Sequence, residues 1–243
     1  MEDNRPTVWL DALCGELRSQ WRGKPTVLTA PWCGPVLDLS WYRTLLASGL
    51  RAGQVAVLRG REMLPTRDFC RPVKVRGIHS AKALVDSAAQ VADPMALIRH
   101  LEDGHTVLLP RIEQWNAEVA AITDRLARLL GRDVEAHLSA TASGAPCRDP
   151  QRDEADVLIV QLNGARGWHI EPDLAGASQG ATQLETELTL GRLLYVPSGF
   201  ARAATGSEGL SIHLSFLARE IGAQQPADAR QRLLSAVPTT LAG

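Results

Sequence analysis

Residues 141–170, TASGAPCRDPQRDEADVLIVQLNGARGWHI, decide how the rest of the chain is read. The stretch has two halves. The first is polar and rich in turn-forming residues, and it holds Gln151, Arg152 and Asp153. The second, residues 157–162, is an apolar run closed by Asn163-Gly164, the pattern of a buried strand followed by a tight turn. Any chemistry in the stretch belongs to the polar half.

Working outward, short strands are expected at residues 134–140, 157–162, 167–170, 183–190, 193–196 and 210–217, separated by Gly, Pro, Asn and Ser turns. Several short strands at that spacing form a sandwich or barrel, and a small double-stranded β-helix is one such solution. Before them, Ile112, Trp115, Val119, Ile122, Leu126, Leu129 and Leu130 follow the helical period, so a helix is expected over residues 112–130 with Gly131 as its stop. Towards the N-terminus the same reasoning gives a helix over 7–21, a strand over 24–28 and a helix over 38–48 capped by Asp38. A strand follows at 54–58, closed by the Arg59-Gly60 turn. Residues 81–92 and 94–101 are helical by composition, 106–109 is a short strand, and 226–237 is a terminal helix. The fold class is therefore α+β with a mainly β core.

Composition sets bounds on function. The 243 residues carry a net charge of -1. Their Lys and Arg residues are dispersed, which argues against a nucleic-acid partner held through phosphates. Neither a membrane-spanning apolar run nor an N-terminal signal pattern is present, so a cytoplasmic location without membrane association is expected. Cys14, Cys33, Cys70 and Cys147 form no C-x-x-C pair and read as reduced thiols.

Asp153, Asp156-Val157, Gln161-Leu162, Gly164, Arg166 and Trp168 resemble a motif of the JmjC branch of the cupin superfamily, in particular the bacterial-type ribosomal oxygenases. That motif is His-x-Asp-x-x-Asp-Val, then an apolar strand ending Gln-Leu-x-Gly-x-Arg/Lys-x-Trp. Trp21, Lys24-Pro25 and Val27-Leu28 are similar to the way such chains begin, and Pro197, Ser198 and Gly199 to their Pro-x-Gly-x-x-His element. The resemblance runs from Trp21 to about Phe216. It implies a JmjC jelly roll with flanking N-terminal helices and a short C-terminal helix. One domain is expected over 1–243: an N-terminal layer at 1–131, the β-helix core at 132–217 and the C-terminal helix at 218–243, without the winged-helix domain of larger relatives.

The resemblance also implies an iron site, and here the chain departs from the family. Gln151 stands at the first metal-binding histidine and Arg202 at the third, leaving Asp153. Residues i and i+2 of a strand face the same way, so Gln151 and Asp153 keep the geometry, but an amide oxygen is a much poorer iron ligand than imidazole. An arginine has no lone pair to give and stays protonated. Two unit charges about 4 Å apart repel by roughly 4 kcal/mol at an effective dielectric of about 20, and a divalent ion doubles that. The expectation is that Arg202 points inward and bonds Asp153, and Gln151 as well, in place of the ion. A solvated Arg202 at a strand end is the alternative.

His137 and His213 could face the barrel interior and, with Asp153, form a relocated ligand set. Asp153 and His137 are the catalytic candidates, with Cys147 a further nucleophile. Arg166 matches the basic residue that holds the distal carboxylate of 2-oxoglutarate in related oxygenases, with Thr141 and His137 lining the same pocket; an exposed turn arginine is the alternative. No cofactor is expected, or Fe(II) and 2-oxoglutarate if the site is active. The first reading is a degenerate oxygenase acting as a binding module for a protein, a peptide or a small carboxylate. The second is an Fe(II)- and 2-oxoglutarate-dependent hydroxylase of a protein or peptide side chain, and the third a metal-independent enzyme. A homodimer is compatible with each.

Overall fold

The structure is a computed structural model that describes residues 8–21, 23–29, 39–60, 62–72, 90–142, 150–172, 183–204 and 209–222. The chain begins with helix α1 (Val8–Gln20), strand β1 (Thr26–Thr29) and helix α2 (Leu39–Ala47). Strands β2 (Ala56–Arg59), β3 (Glu62–Met63), β4 (Cys70–Pro72) and β5 (Gln90–Ala92) lead to helix α3 (Pro94–Glu102) and β6 (Thr106–Leu109). Helix α4 (Ala117–Leu130) introduces β7 (Asp133–Thr141), β8 (Gln151–Arg152), β9 (Asp156–Asn163) and β10 (Ala165–Glu171). The described part closes with β11 (Leu184–Thr189), β12 (Arg192–Val196), β13 (Ala201–Ala204) and β14 (Ser211–Arg219).

Strands β1-β12-β9-β14-β7-β6-β2-β3 make an eight-stranded sheet, and β11-β10-β13-β8 a four-stranded one. The two face each other as a double-stranded β-helix of the JmjC/cupin type. Val157, Ile159, Leu194, Val196 and Leu217 from the large sheet pack on Trp168, Ile170, Leu188 and Ala204 from the small one. The opposite face of the large sheet, with Leu138, Leu158, Val160, Leu214 and Phe216, is covered by Leu10, Leu13 and Leu17 of α1 and Val119, Ile122 and Leu126 of α4. Strands β9 and β14 are thus buried on both faces; β9 accordingly reads as an apolar run, whereas β14 alternates Ser211, His213 and Ser215 with Ile212, Leu214 and Phe216.

Local chemistry explains the element ends. Asp93 caps α3 by accepting from the Met95 N–H, with Pro94 in the first turn. The Asn116 side chain accepts from Val119 N at 3.0 Å, and Gly131 takes the left-handed cap at φ 63°. Gly164 is needed where it stands. Its φ is +64°, and a Cβ there would lie 2.5 Å from the Leu210 carbonyl oxygen.

Several expectations are corrected. The helix anticipated over 112–130 starts at Ala117, because Ile112 and Trp115 belong to a separate 3-10 turn entered through Arg111 at φ 49°. Both side chains pack on the core at near-helical spacing, which mimics a longer helix. Residues 90–92 are strand β5, paired with β4, rather than the end of a helix. Gln54 closes a 3-10 turn, so its strand begins at Ala56. The short strands β8 and β13 were not anticipated. Residues 81–89, the Asp38 cap, Cys33, Cys147 and the helix expected at 226–237 lie outside the described residues.

Candidate functional site

Directly paired residues on neighbouring strands share a face, so the register shows which side chains enter the space between the sheets. On β7 these are Glu135, His137, Ser139 and Thr141; opposite them on β14 stand Leu217, Ser215, His213 and Ser211. Strand β9 adds Gln161 and Ile159 through their pairing with His213 and Ser215, and a bulge between Ile212 and His213 re-aims the β14 chain at that point. From the small sheet, Arg166, Trp168 and Ile170 are the buried members of an alternating strand. Arg202 lies opposite Ile170 on one side and Gln151 on the other, so it faces the same interior.

Arg202 Nη1 donates to Asp153 Oδ2 in a part-buried ion pair. The two side chains are 12% and 27% exposed, so the pair is shielded rather than solvated. The backbone fixes both ends: Gly199 N donates to the Asp153 carbonyl at 3.4 Å, tying the 197–199 loop to the end of β8, and Arg202 sits in register on Gln151.

Deeper in, Arg166 is 2% exposed and among the largest fully buried side chains, so it is no exposed turn arginine. The Trp168 ring meets His213 edge-on, with centroids 5.4 Å apart and planes at 82°. Its indole N–H is buried and lacks an acceptor among the described residues. Gln161 is 0% exposed and donates from Nε2 to the Asn163 carbonyl at 2.7 Å and to Ser211 Oγ at 2.9 Å. Thr141 is buried, its hydroxyl 3.1 Å from that of Thr106. This end of the barrel is polar, whereas the layer through Val157, Ile159 and Ile170 is apolar.

The other candidates do not join the Arg202–Asp153 pair. His137 Nε2 lies 3.6 Å from Glu135 Oε1, and Glu135 also accepts from Arg219 Nη1 at 2.6 Å. Burial raises the Glu135 pKa, but His137 and Arg219 outweigh it and hold the carboxyl at about 2. Among the described residues, Asp153, His137 and His213 are not gathered as a group of ligand atoms within 4.8 Å of one another. His169 turns away from Trp168 and bonds Glu171 at 2.7 Å and Glu185 at 3.0 Å on the outer face of the sheet. A cavity of about 420 Å³ lined by Glu154, Asp156, Pro197, Ser198, Phe200 and Glu220 contains neither Arg166 nor the Arg202–Asp153 pair.

Sequence reasoning gave no role to three residues that organise this region. Trp168 and Gln161 present polar groups to the interior, and Asp156, 2% exposed, holds the loop after β12. Its Oδ1 accepts from Tyr195 Oη at 2.9 Å and from Ser198 N at 3.2 Å, and Tyr195 stacks on Trp21 at 5.4 Å. An acidic residue directly before an apolar run was the available signal.

Comparison with known proteins agrees with this architecture. Residues 111–225 match the JmjC domain family. The bifunctional lysine-specific demethylase and histidyl-hydroxylase NO66 of Dictyostelium discoideum is 29% identical over 139 residues, 51% of this chain and 27% of that protein. The solved structure of YcfD, a ribosomal oxygenase from Escherichia coli, superposes over 93% of this chain and 57% of its own, with a TM-score of 0.54 and 18% identity. YcfD in complex with cobalt and 2-oxoglutarate superposes with a TM-score of 0.53 and 18% identity over 97% of this chain and 58% of its own. The chain thus spans a little over half of the solved structures and about a quarter of the curated relative. Among the described residues no helix is long and apolar enough to cross a membrane. Strand order, interior and sequence match together agree on a JmjC/cupin fold, in which residues 111–225 match the JmjC domain family.

Proposed function

We propose that this protein is a JmjC-fold binding module in which the Arg202–Asp153 ion pair fills the position of the oxygenase metal, leaving a carboxylate-binding interior anchored by Arg166. The observation that carries the reading is the ion pair itself. A guanidinium offers no lone pair, and it occupies the carboxylate oxygen that an ion would need. Gln151, opposite it, supplies at most a weak amide ligand. These residues do not fit a divalent iron ion.

What remains suits an anion. Arg166 is a buried cation on the same strand face as the Trp168 indole N–H, a buried donor awaiting an acceptor. A carboxylate, free or on an acidic peptide side chain, supplies the acceptor that the Trp168 N–H lacks and suits the buried positive charge beside it. YcfD and NO66 are named for action on ribosomal and histidyl groups, so a protein or peptide partner is the natural source of that carboxylate. Interior hydrogen bonding, rather than chemistry at a metal, then supplies the affinity.

Calorimetric titration of the metal-free chain with succinate tests the proposal. Binding is expected without added metal, with at least a tenfold loss in R166Q and little change on adding Fe(II). Release of succinate and carbon dioxide from 2-oxoglutarate would instead favour the second reading, a protein or peptide hydroxylase with an unusual ligand set. That reading draws on Arg166 standing thirteen residues after Asp153 and on the inward-facing His137 and His213.

A further inference from the structure

The most concentrated set of metal-ligating side chains among the described residues lies outside the barrel and outside residues 111–225. His100 is in the last turn of α3, Asp103 is its C-cap and His105 immediately precedes β6. Ligating atoms of the three all fall within 4.8 Å of one another. The backbone sets this up: Asp103 N donates to the Arg99 carbonyl at 2.9 Å, Gly104 N to the Leu101 carbonyl at 3.0 Å and His105 N to the His100 carbonyl at 2.9 Å. The left-handed Gly104, φ 78°, reverses the chain so that residues 100 and 105 meet.

His100 Nδ1 and His105 Nδ1 are 3.1 Å apart. Two nitrogens bound tetrahedrally to one zinc-like ion at about 2.0–2.1 Å stand roughly 3.3 Å apart, so the pair is spaced for a shared ion with little movement. The outer nitrogen of His100 is also placed. Nε2 lies 3.4 Å from the Asp68 carbonyl oxygen, which favours the tautomer with its proton on Nε2 and leaves the Nδ1 lone pair facing His105. Phe69, edge-on to the His100 ring at 6.3 Å, holds the imidazole in that plane.

We propose that His100, Asp103 and His105 bind one divalent transition-metal ion of the zinc class, through two imidazole nitrogens and one carboxylate oxygen, with water completing the shell. Imidazole with carboxylate selects a borderline ion such as Zn(II), Co(II) or Ni(II) over Ca(II) and Mg(II). Without metal, one ring donates Nδ1–H to the other; on binding, that proton passes to the other nitrogen of its own ring or to solvent. The partial negative charge at the end of α3 adds to the attraction. The bound ion pins the α3 terminus to β6, and the Asp68 contact couples it to the turn at residues 66–68, giving a structural clamp at the start of a strand that pairs with β7 and β2 in the large sheet.

The test is titration of the metal-free full-length chain with Co(II), followed by visible absorbance, with Zn(II) as competitor. One equivalent bound with the spectrum of a four-coordinate nitrogen and oxygen site is expected, together with a rise in melting temperature of several degrees. H105A should weaken binding at least tenfold, and D103N, a change on an exposed side chain that keeps the fold, by a smaller factor. D153A should leave binding unchanged. No uptake by the wild-type chain, uptake unaffected in both H105A and D103N, or uptake abolished by D153A would each overturn the proposal.

Discussion

Arg202 and Asp153 are 49 residues apart in sequence and hydrogen-bonded in the fold, the arginine carried by β13 and the acid placed just past β8. Because the pair is shielded, removing one partner strands the other. R202A is expected to lower stability by about 1–3 kcal/mol, and D153A by a similar amount, through the penalty on the unpaired charge. The double variant should lose less than the sum, with a coupling of about 0.5–3 kcal/mol from a denaturant double-mutant cycle. Additive losses would mean that the pair carries no energy.

Gly164 joins β9 to β10 and therefore sets the position of Arg166 and Trp168 relative to Gln161. Alanine there meets both a left-handed backbone and the Leu210 carbonyl at 2.5 Å. G164A should cost more than the roughly 1 kcal/mol of an ordinary positive-φ glycine, because backbone must move. It should also lower the affinity for succinate in calorimetry. A neutral outcome would indicate that the turn is compliant.

Glu135 predicts how the protein responds to acid. Although burial opposes ionisation, His137 and Arg219 hold the folded-state pKa at about 2, below the ordinary value of 4.5. A depressed carboxylate stabilises fully above its unfolded pKa, so this contribution is present above pH 4.5 and is lost as pH falls towards 2. E135Q should be less stable near neutrality by about 1–3 kcal/mol, since Arg219 loses its partner, and its stability should fall less steeply over that interval in urea titrations at stepped pH.

Legibility in the sequence followed physical redundancy. Strand β9 was readable because burial on both faces demands an apolar run, β14 because Ile212, Leu214 and Phe216 alternate with polar residues, and the β9–β10 turn because Asn-Gly serves few other purposes there. Strands β8 and β13 escaped notice: two and four residues long, they are held by pairing and carry almost no hydrophobic pattern of their own. The start of α4 was misplaced because Ile112 and Trp115 satisfy the core from a 3-10 turn at nearly the helical interval. The Gln151 and Arg202 departures were visible in the residues alone, whereas the His100–Asp103–His105 cluster depends on a chain reversal at Gly104 and matches no familiar ligand spacing.

The most direct test of the account is manganese binding in a chain that also carries H105A, which removes the surface cluster from the measurement. With Arg202 and Gln151 in place, calorimetry should detect no ion that depends on Asp153, and Q151H/R202H should restore about one equivalent that D153A abolishes. Manganese taken up by the chain with Arg202 intact, and lost on D153A, would contradict the claim that the ion pair stands in the metal's place.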